Sequence, residues 1–245
     1  FNYPLHESTV AEAVEHKITT GALTYDQFFR EHDKLSVFAS GQKVDRDSYY
    51  GAEQSLADYG YTEDFSYTTG AQYHMHLNQS EITLGIENQG AWLKDKKLGY
   101  PDLENIEVDI QGTDTTINVP HTDNVTIADQ ETNTFSAFGQ YDVNYEKLKI
   151  TAGVRFDHYM VKDLISEADK SGNVISPRIT IKYDFFDYLQ SRISYSQGYR
   201  APQIYDEDLH IETSTARKVL HVNDPDLKQE TSHSFMASLD FNKQL

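Results

Sequence analysis

Between Tyr205 and Glu212 the chain reads Tyr205-Asp206-Glu207-Asp208-Leu209-His210-Ile211-Glu212, setting four carboxylates and one imidazole within eight residues. Hard donors at this density suit a divalent cation such as calcium. The spacing is not that of an EF-hand loop, and an acidic loop paired to nearby arginines accounts for the same residues. Aromatic and charged groups on a loop held by a rigid scaffold are the usual ingredients of recognition. Tyr205, Asp206, Glu207, Asp208 and His210, with Arg192 and Arg200 upstream, therefore form the candidate ligand-binding set. A second group, His74-Met75-His76, puts two imidazoles on one face of an extended segment, a spacing that can serve Zn or Cu. Ordinary water-facing residues are the alternative.

Other chemistry finds little support. There is no glycine-rich phosphate loop and no Ser, His and Asp grouping spaced for nucleophilic attack, so the chain reads as a non-enzyme. With no Cys in 245 residues, disulfides and thiolate metal sites are excluded. A formal charge of -18 opposes nucleic acid, whose phosphates need a basic surface. Residues 95–131 alone hold nine acidic and two basic residues, a net of -7, which is either solvated surface or a cation-attracting funnel.

The elements that must position these groups are extended. From Leu148 to Met160, Leu148, Ile150, Ala152, Val154, Phe156, His158 and Met160 alternate with Lys149, Thr151, Gly153, Arg155, Asp157 and Tyr159. Strict period two predicts a strand with one oily and one wet face. Similar segments predict strands at about 13–30, 35–47, 65–77, 81–94, 132–143, 176–185, 190–200 and 230–241. Connections at 31–34, 78–80, 144–147 and 186–189 are tight, and those at 48–64, 95–131, 163–175 and 201–229 are long. A regular alternation of short turns and long loops is the habit of transmembrane barrels, with the long loops outside the cell.

Composition fits this expectation. The hydrophobic share is 38% and mean hydropathy is -0.63, with no apolar run near the ~20 residues of a membrane helix. A barrel needs only alternate residues of each strand to be apolar, and 17 Tyr, 12 Phe and one Trp can supply aromatic girdles. The expected fold class is all-β, an antiparallel up-and-down transmembrane barrel present as about nine strands. Nine strands leave a free edge, so the chain is read as a piece of a longer protein. A passive porin and a soluble β-rich binding or adhesion domain are the competing readings.

Several motifs narrow the choice. Ser196-Gln197-Gly198-Tyr199-Arg200-Ala201-Pro202 resembles "S-x-G-[FY]-R-A-P", and Asp224-Pro225-Asp226-Leu227-Lys228-Gln229-Glu230-Thr231-Ser232 resembles "[NDS]-P-D-L-K-x-E-x-S". Both are signatures of TonB-dependent outer-membrane receptors. Ser176-Pro177-Arg178 is similar to the "S-P-R" that opens a strand in that family. Phe138-Gly139-Gln140-Tyr141 and Gly153-Val154-Arg155-Phe156-Asp157-His158-Tyr159 resemble its "F-x-Q-Y" and "G-x-R-[YF]-D-x-Y" strand pair. Tyr205-Asp206-Glu207-Asp208-Leu209-His210 is similar to receptors of gut Bacteroidetes.

The resemblance implies a roughly 22-stranded barrel with a plugged lumen. It implies a bacterial outer-membrane location and active import of a scarce nutrient such as a ferric siderophore, haem or cobalamin. The implied partners are membrane lipid, the TonB complex, the nutrient chelate and a surface lipoprotein. It also implies that the plug and the terminal strands lie outside this chain. The sequons Asn78-Gln79-Ser80 and Asn124-Val125-Thr126 have no role in such a bacterial protein. Arg155, Arg178 and Arg192, on wet faces, are expected to line the lumen and pair with carboxylates, as is Arg200 at a strand end.

Overall fold

The computed structural model describes residues 11–29, 32–51, 59–97, 105–111, 114–118, 125–202 and 227–242. Nine long antiparallel strands follow one another around a single sheet. They are β1 (Ala11–Phe29), β2 (Asp33–Gly51), β3 (Tyr59–Leu77), β4 (Ser80–Lys97), β7 (Val125–Tyr145), β8 (Leu148–Asp163), β9 (Ala168–Phe186), β10 (Leu189–Arg200) and β11 (Glu230–Phe241). A short hairpin, β5 (Glu107–Gln111) with β6 (Asp114–Asn118), stands apart as its own sheet. β1 and β11 are the two edges of the nine-stranded sheet.

Burial runs opposite to that of a water-soluble sheet. In β8, Val154 is 51% and Phe156 40% exposed, whereas Asp157 is 2% exposed. Neighbouring strands repeat the inversion, because cross-strand register puts Ile181 beside Ile150 on the apolar face and Ser136 beside Asp157 on the polar one. Apolar side chains splay outward with no described layer over them, and polar ones crowd together. That is the pattern of a sheet curled toward its wet side, with lipid as the cover for the other.

Aromatic side chains mark two levels of the apolar face. Near the short turns, Phe186 stacks on Tyr188 at 5.3 Å and Tyr188 meets Phe241 at 5.6 Å. Trp92, stacked with Phe65 at 5.6 Å and Tyr67 at 5.5 Å, lies twelve positions up β4 from Ser80. At about 3.3 Å per residue and a tilt near 45°, twelve positions rise about 28 Å, close to the ~25 Å apolar band of outer-membrane barrels. Between the levels, Asn88 and Asn133 satisfy each other through a 3.0 Å hydrogen bond, and Asn133 donates to the Tyr67 hydroxyl at 2.9 Å.

Large rings on the sheet lie across directly opposed glycines. Phe38 faces Gly70, Phe138 faces Gly85, Tyr67 faces Gly90 and Tyr159 faces Gly172, and a Cβ at any of these glycines would collide with the ring. The missing side chain is a socket that lets the ring lie flat on the ladder. At the short-turn end, backbone bonds tie neighbouring turns together: Asn144 N–H donates to Gln79 O at 2.8 Å, and Asp184 N–H to Lys147 O at 2.9 Å. Asn78 and Glu146 take left-handed φ values of 29° and 48° in these tight connections.

Three expectations need correction. The long connection at 163–175 is a four-residue turn at 164–167, because β8 and β9 continue their pairing from Val154↔Pro177 up to Asp163↔Ala168. Asp163 caps that turn, accepting from Ile165 N–H at 3.0 Å and from the Ser166 hydroxyl at 2.5 Å. Pro177 does not open a strand; it lies inside β9, where β10 pairing stops at Ser196↔Arg178. Proline has no N–H to give the next strand, and Gln197 Nε2 instead donates to Ile175 O at 3.0 Å. Finally, the β5–β6 hairpin lies within the stretch expected to be a plain loop.

Val154 lies six residues from the start of β8, near the middle of the apolar band. In bilayer-embedded protein, Val154→Arg is expected to cost about 2–4 kcal/mol in reversible unfolding, and Thr151→Arg on the wet face much less. Equal losses would refute the facial assignment.

Candidate functional site

The functional surface is the polar wall, and its middle is a charged knot on β4, β7 and β8. Arg155 reaches across two strands, with Nη2 2.6 Å from Glu87 Oε1 and Nε 2.7 Å from Asp157 Oδ1. Nη2 also donates to Ser136 Oγ at 2.7 Å, and Ser136 donates to Asp157 Oδ1 at 2.5 Å. The guanidinium lies 5.8 Å from the centre of the Phe138 ring, which is itself seated over Gly85. Ser136 is fully buried. Two carboxylates, one hydroxyl and one aromatic face thus hold a single cation rigid.

The same wall continues toward the long connections. Arg46 Nη2 donates to Thr62 Oγ1 at 2.9 Å, and Thr62 donates to the buried Asp95 Oδ1 at 2.5 Å. Higher on β8, β9 and β10 the wall turns apolar, with Tyr159, Val161 and Val174 buried against Tyr199 and Ala201. Tyr159 and Tyr199 stack at 5.9 Å, and the Tyr159 hydroxyl donates to Gln229 Oε1 at 2.6 Å. Pro202 is buried as well. Both stems of the connection between β10 and β11 are therefore anchored, one by Ala201 and Pro202 and the other by Gln229.

The expected site residues fall in three places. Arg200 ends β10, registered with Glu230 at the foot of that connection. Arg192 is eight residues away, about 26 Å along the strand at the short-turn end, so the structure does not bring it beside Arg200. Tyr205, Asp206, Glu207, Asp208 and His210 lie outside the described residues, and with them the expected calcium cluster. Of the other wet-face arginines, Arg155 pairs with carboxylates as expected, whereas Arg178 donates to the amide oxygen of Gln140.

His74 and His76 lie on the polar wall near the short turns. Both turn toward one carboxylate: His74 Nε2 is 3.5 Å and His76 Nδ1 3.3 Å from Glu81, with His74 Nδ1 3.0 Å from Thr83 Oγ1. Among the described residues no group of three or more His, Asp or Glu is placed to hold a metal ion. Sequence reasoning missed the tyrosine and valine cluster that anchors the loop stems. Its signal was present, because Tyr159 and Val161 put apolar bulk on the wet parity of β8.

An up-and-down sheet with an apolar outer face, two aromatic levels and a hydrogen-bonded polar interior is a section of a transmembrane β-barrel wall. The chain belongs to the family of TonB-dependent receptor-like β-barrels, whose family model matches residues 8–245. Solved structures share the fold at low identity. The siderophore receptor PiuA from Acinetobacter baumannii matches at 10% identity and a TM-score of 0.69, covering 94% of this chain and 38% of its own. The FrpB iron transporter from Neisseria meningitidis (F5-1 variant) matches at 15% identity and 0.66, covering 94% and 34%. The copper transporter OprC matches at 12% identity and 0.66, covering 96% and 37%. The chain thus spans little more than a third of these structures. No curated protein matches it in sequence.

Removing the cation of the central knot strands two carboxylates, one of them buried. Arg155→Ala is expected to destabilise the folded protein by about 3 kcal/mol, and Ser136→Ala by about 1 kcal/mol, in denaturant titrations of the intact receptor. Equal effects would show that the knot is surface decoration.

Proposed function

We propose that this chain is part of the barrel wall of a bacterial outer-membrane receptor that imports a scarce nutrient. The observation that carries the reading is the inverted burial, with isoleucine and phenylalanine outside and a hydrogen-bonded Arg155 knot inside. Such a wall separates lipid from a polar passage and performs no covalent chemistry, so the protein is a transport receptor and not an enzyme. Family membership supports energisation by the TonB complex through parts of the receptor outside this chain. Structures of the same fold include a siderophore receptor, an iron transporter and a copper transporter, which supports a metal chelate as cargo. A ferric siderophore, haem or cobalamin fits that class.

In this reading the short turns face the periplasm and the long connections face outside. The Tyr205–Glu212 segment then stands on anchored stems at the outer rim, where it contacts the chelate or a surface lipoprotein that delivers it. Its carboxylates could alternatively hold a calcium ion, and growth with and without chelated calcium separates the two roles.

Protease added to intact cells should cut in the β10–β11 connection or near 98–124 and spare the turns after Leu77, Tyr145 and Phe186. Cleavage confined to the short turns would invert the orientation. Replacing Tyr205, Asp206, Asp208 and His210 together with Ala should weaken ligand binding at least tenfold, about 1.4 kcal/mol, in a receptor that still folds. Unchanged binding would remove the segment from the site.

A further inference from the structure

Three cations on adjacent strands of the polar wall stand in one row. Lys149 of β8 is registered directly against Lys182 of β9, and Lys182 directly against Arg192 of β10. Like charges opposed across a ladder repel. The chain has 21 Lys and Arg against 39 Asp and Glu, so carboxylates to break up such a row are plentiful. They are not used here. Lys149 and Arg192 make no hydrogen bond or ion pair with a described residue, and Lys182 approaches only Asp184, at 4.0 Å.

Two acids, Glu81 and Asp142, line the same cleft as the cations, but these and Asp184 are engaged by other partners. Asp142 accepts from Thr151 at 2.5 Å and from Gln140 at 2.6 Å, and Asp184 accepts from Gln190 at 2.7 Å. Glu81 faces the two histidines. The cations instead open on a cleft of about 330 Å³ that Thr151 and Thr180, directly opposed to each other, also line.

We infer that the row Lys149–Lys182–Arg192 is an oxyanion site, taking a carboxylate or a phosphate group at the short-turn end of the polar wall. A guanidinium fork, two ammonium groups and the Thr180 hydroxyl suit the charge and the several acceptor atoms of such a group, the Thr151 hydroxyl being given to Asp142. The bound anion would turn a repulsive row into a clamp across three strands. The site lies at the opposite end of β10 from Arg200 and the β10–β11 connection, and it depends on the barrel fold alone.

Two sources can supply the oxyanion: a carboxylate from another part of the same polypeptide, or soluble phosphate. The test uses the full-length receptor in detergent, with Lys149→Gln/Lys182→Gln/Arg192→Gln and the charge-preserving Lys149→Arg/Lys182→Arg. Thermal unfolding is followed at matched ionic strength in chloride and in inorganic phosphate. With phosphate as ligand, Tm of the unaltered receptor rises in phosphate and that of the triple variant does not. With a carboxylate of the chain as ligand, the triple variant melts below the unaltered receptor in chloride, the charge-preserving variant matches it, and phosphate has no effect. Should the triple variant fail to assemble, Lys149→Gln alone makes the same comparison with a smaller shift. A neutralised row that melts at or above the unaltered receptor, with no response of the latter to phosphate, would overturn the site, since only repulsion would have been removed.

Discussion

A backbone laid against hydrocarbon has no water to satisfy its N–H and C=O groups, so every strand must find both neighbours. That requirement fixes the ladder, and the ladder fixes the register. Because side chains alternate with a period of two, a fixed register then gathers like with like. Ile150, Ile181 and Ile193 line up on one face, and Glu87, Ser136, Arg155 and Asp157 on the other. The charged knot and the aromatic levels are both consequences of backbone pairing.

The polar wall uses its charges in two different ways. Around Arg155 the cation is answered by two carboxylates and a hydroxyl, which favours a single rigid arrangement. Around Lys182 like charges face each other across the ladder, and the nearby acids are engaged by Thr151, Gln140, Gln190 and two histidines. One is a finished structural element; the other is a surface whose electrostatics is incomplete without something from outside the described wall. Composition cannot separate the two, since both mix basic side chains with carboxylates and hydroxyls.

The portion of the fold that faces lipid was legible in the sequence. From Leu148 to Met160 the alternation names the strand and its two faces, because lipid imposes a sharp penalty on the wrong parity. Above the apolar band Tyr159 and Val161 put apolar bulk on the wet parity, and the alternation that betrays a strand disappears. The extension of β8 and β9 to Asp163 and Ala168 was therefore hidden, as was the role of Pro177, whose effect depends on which neighbour it fails to pair with. The Arg155 partners were legible in kind but not in identity, since Glu87 comes from a strand 68 residues earlier. Arg192 and Arg200 look adjacent in a motif of nine residues, yet extended backbone carries them to opposite ends of the wall.

The anchored stems of the β10–β11 connection bear on how such a protein diversifies. Tyr159, Tyr199, Pro202 and Gln229 hold the two stems of this connection through contacts within the described wall. Doubling the length of a flexible loop costs only about 0.6 kcal/mol of closure entropy. Residues 203–226 can therefore be rewritten, lengthened or exchanged between lineages at almost no cost to folding. Sequence change can then accumulate between the two stems while the barrel beneath them stays unchanged.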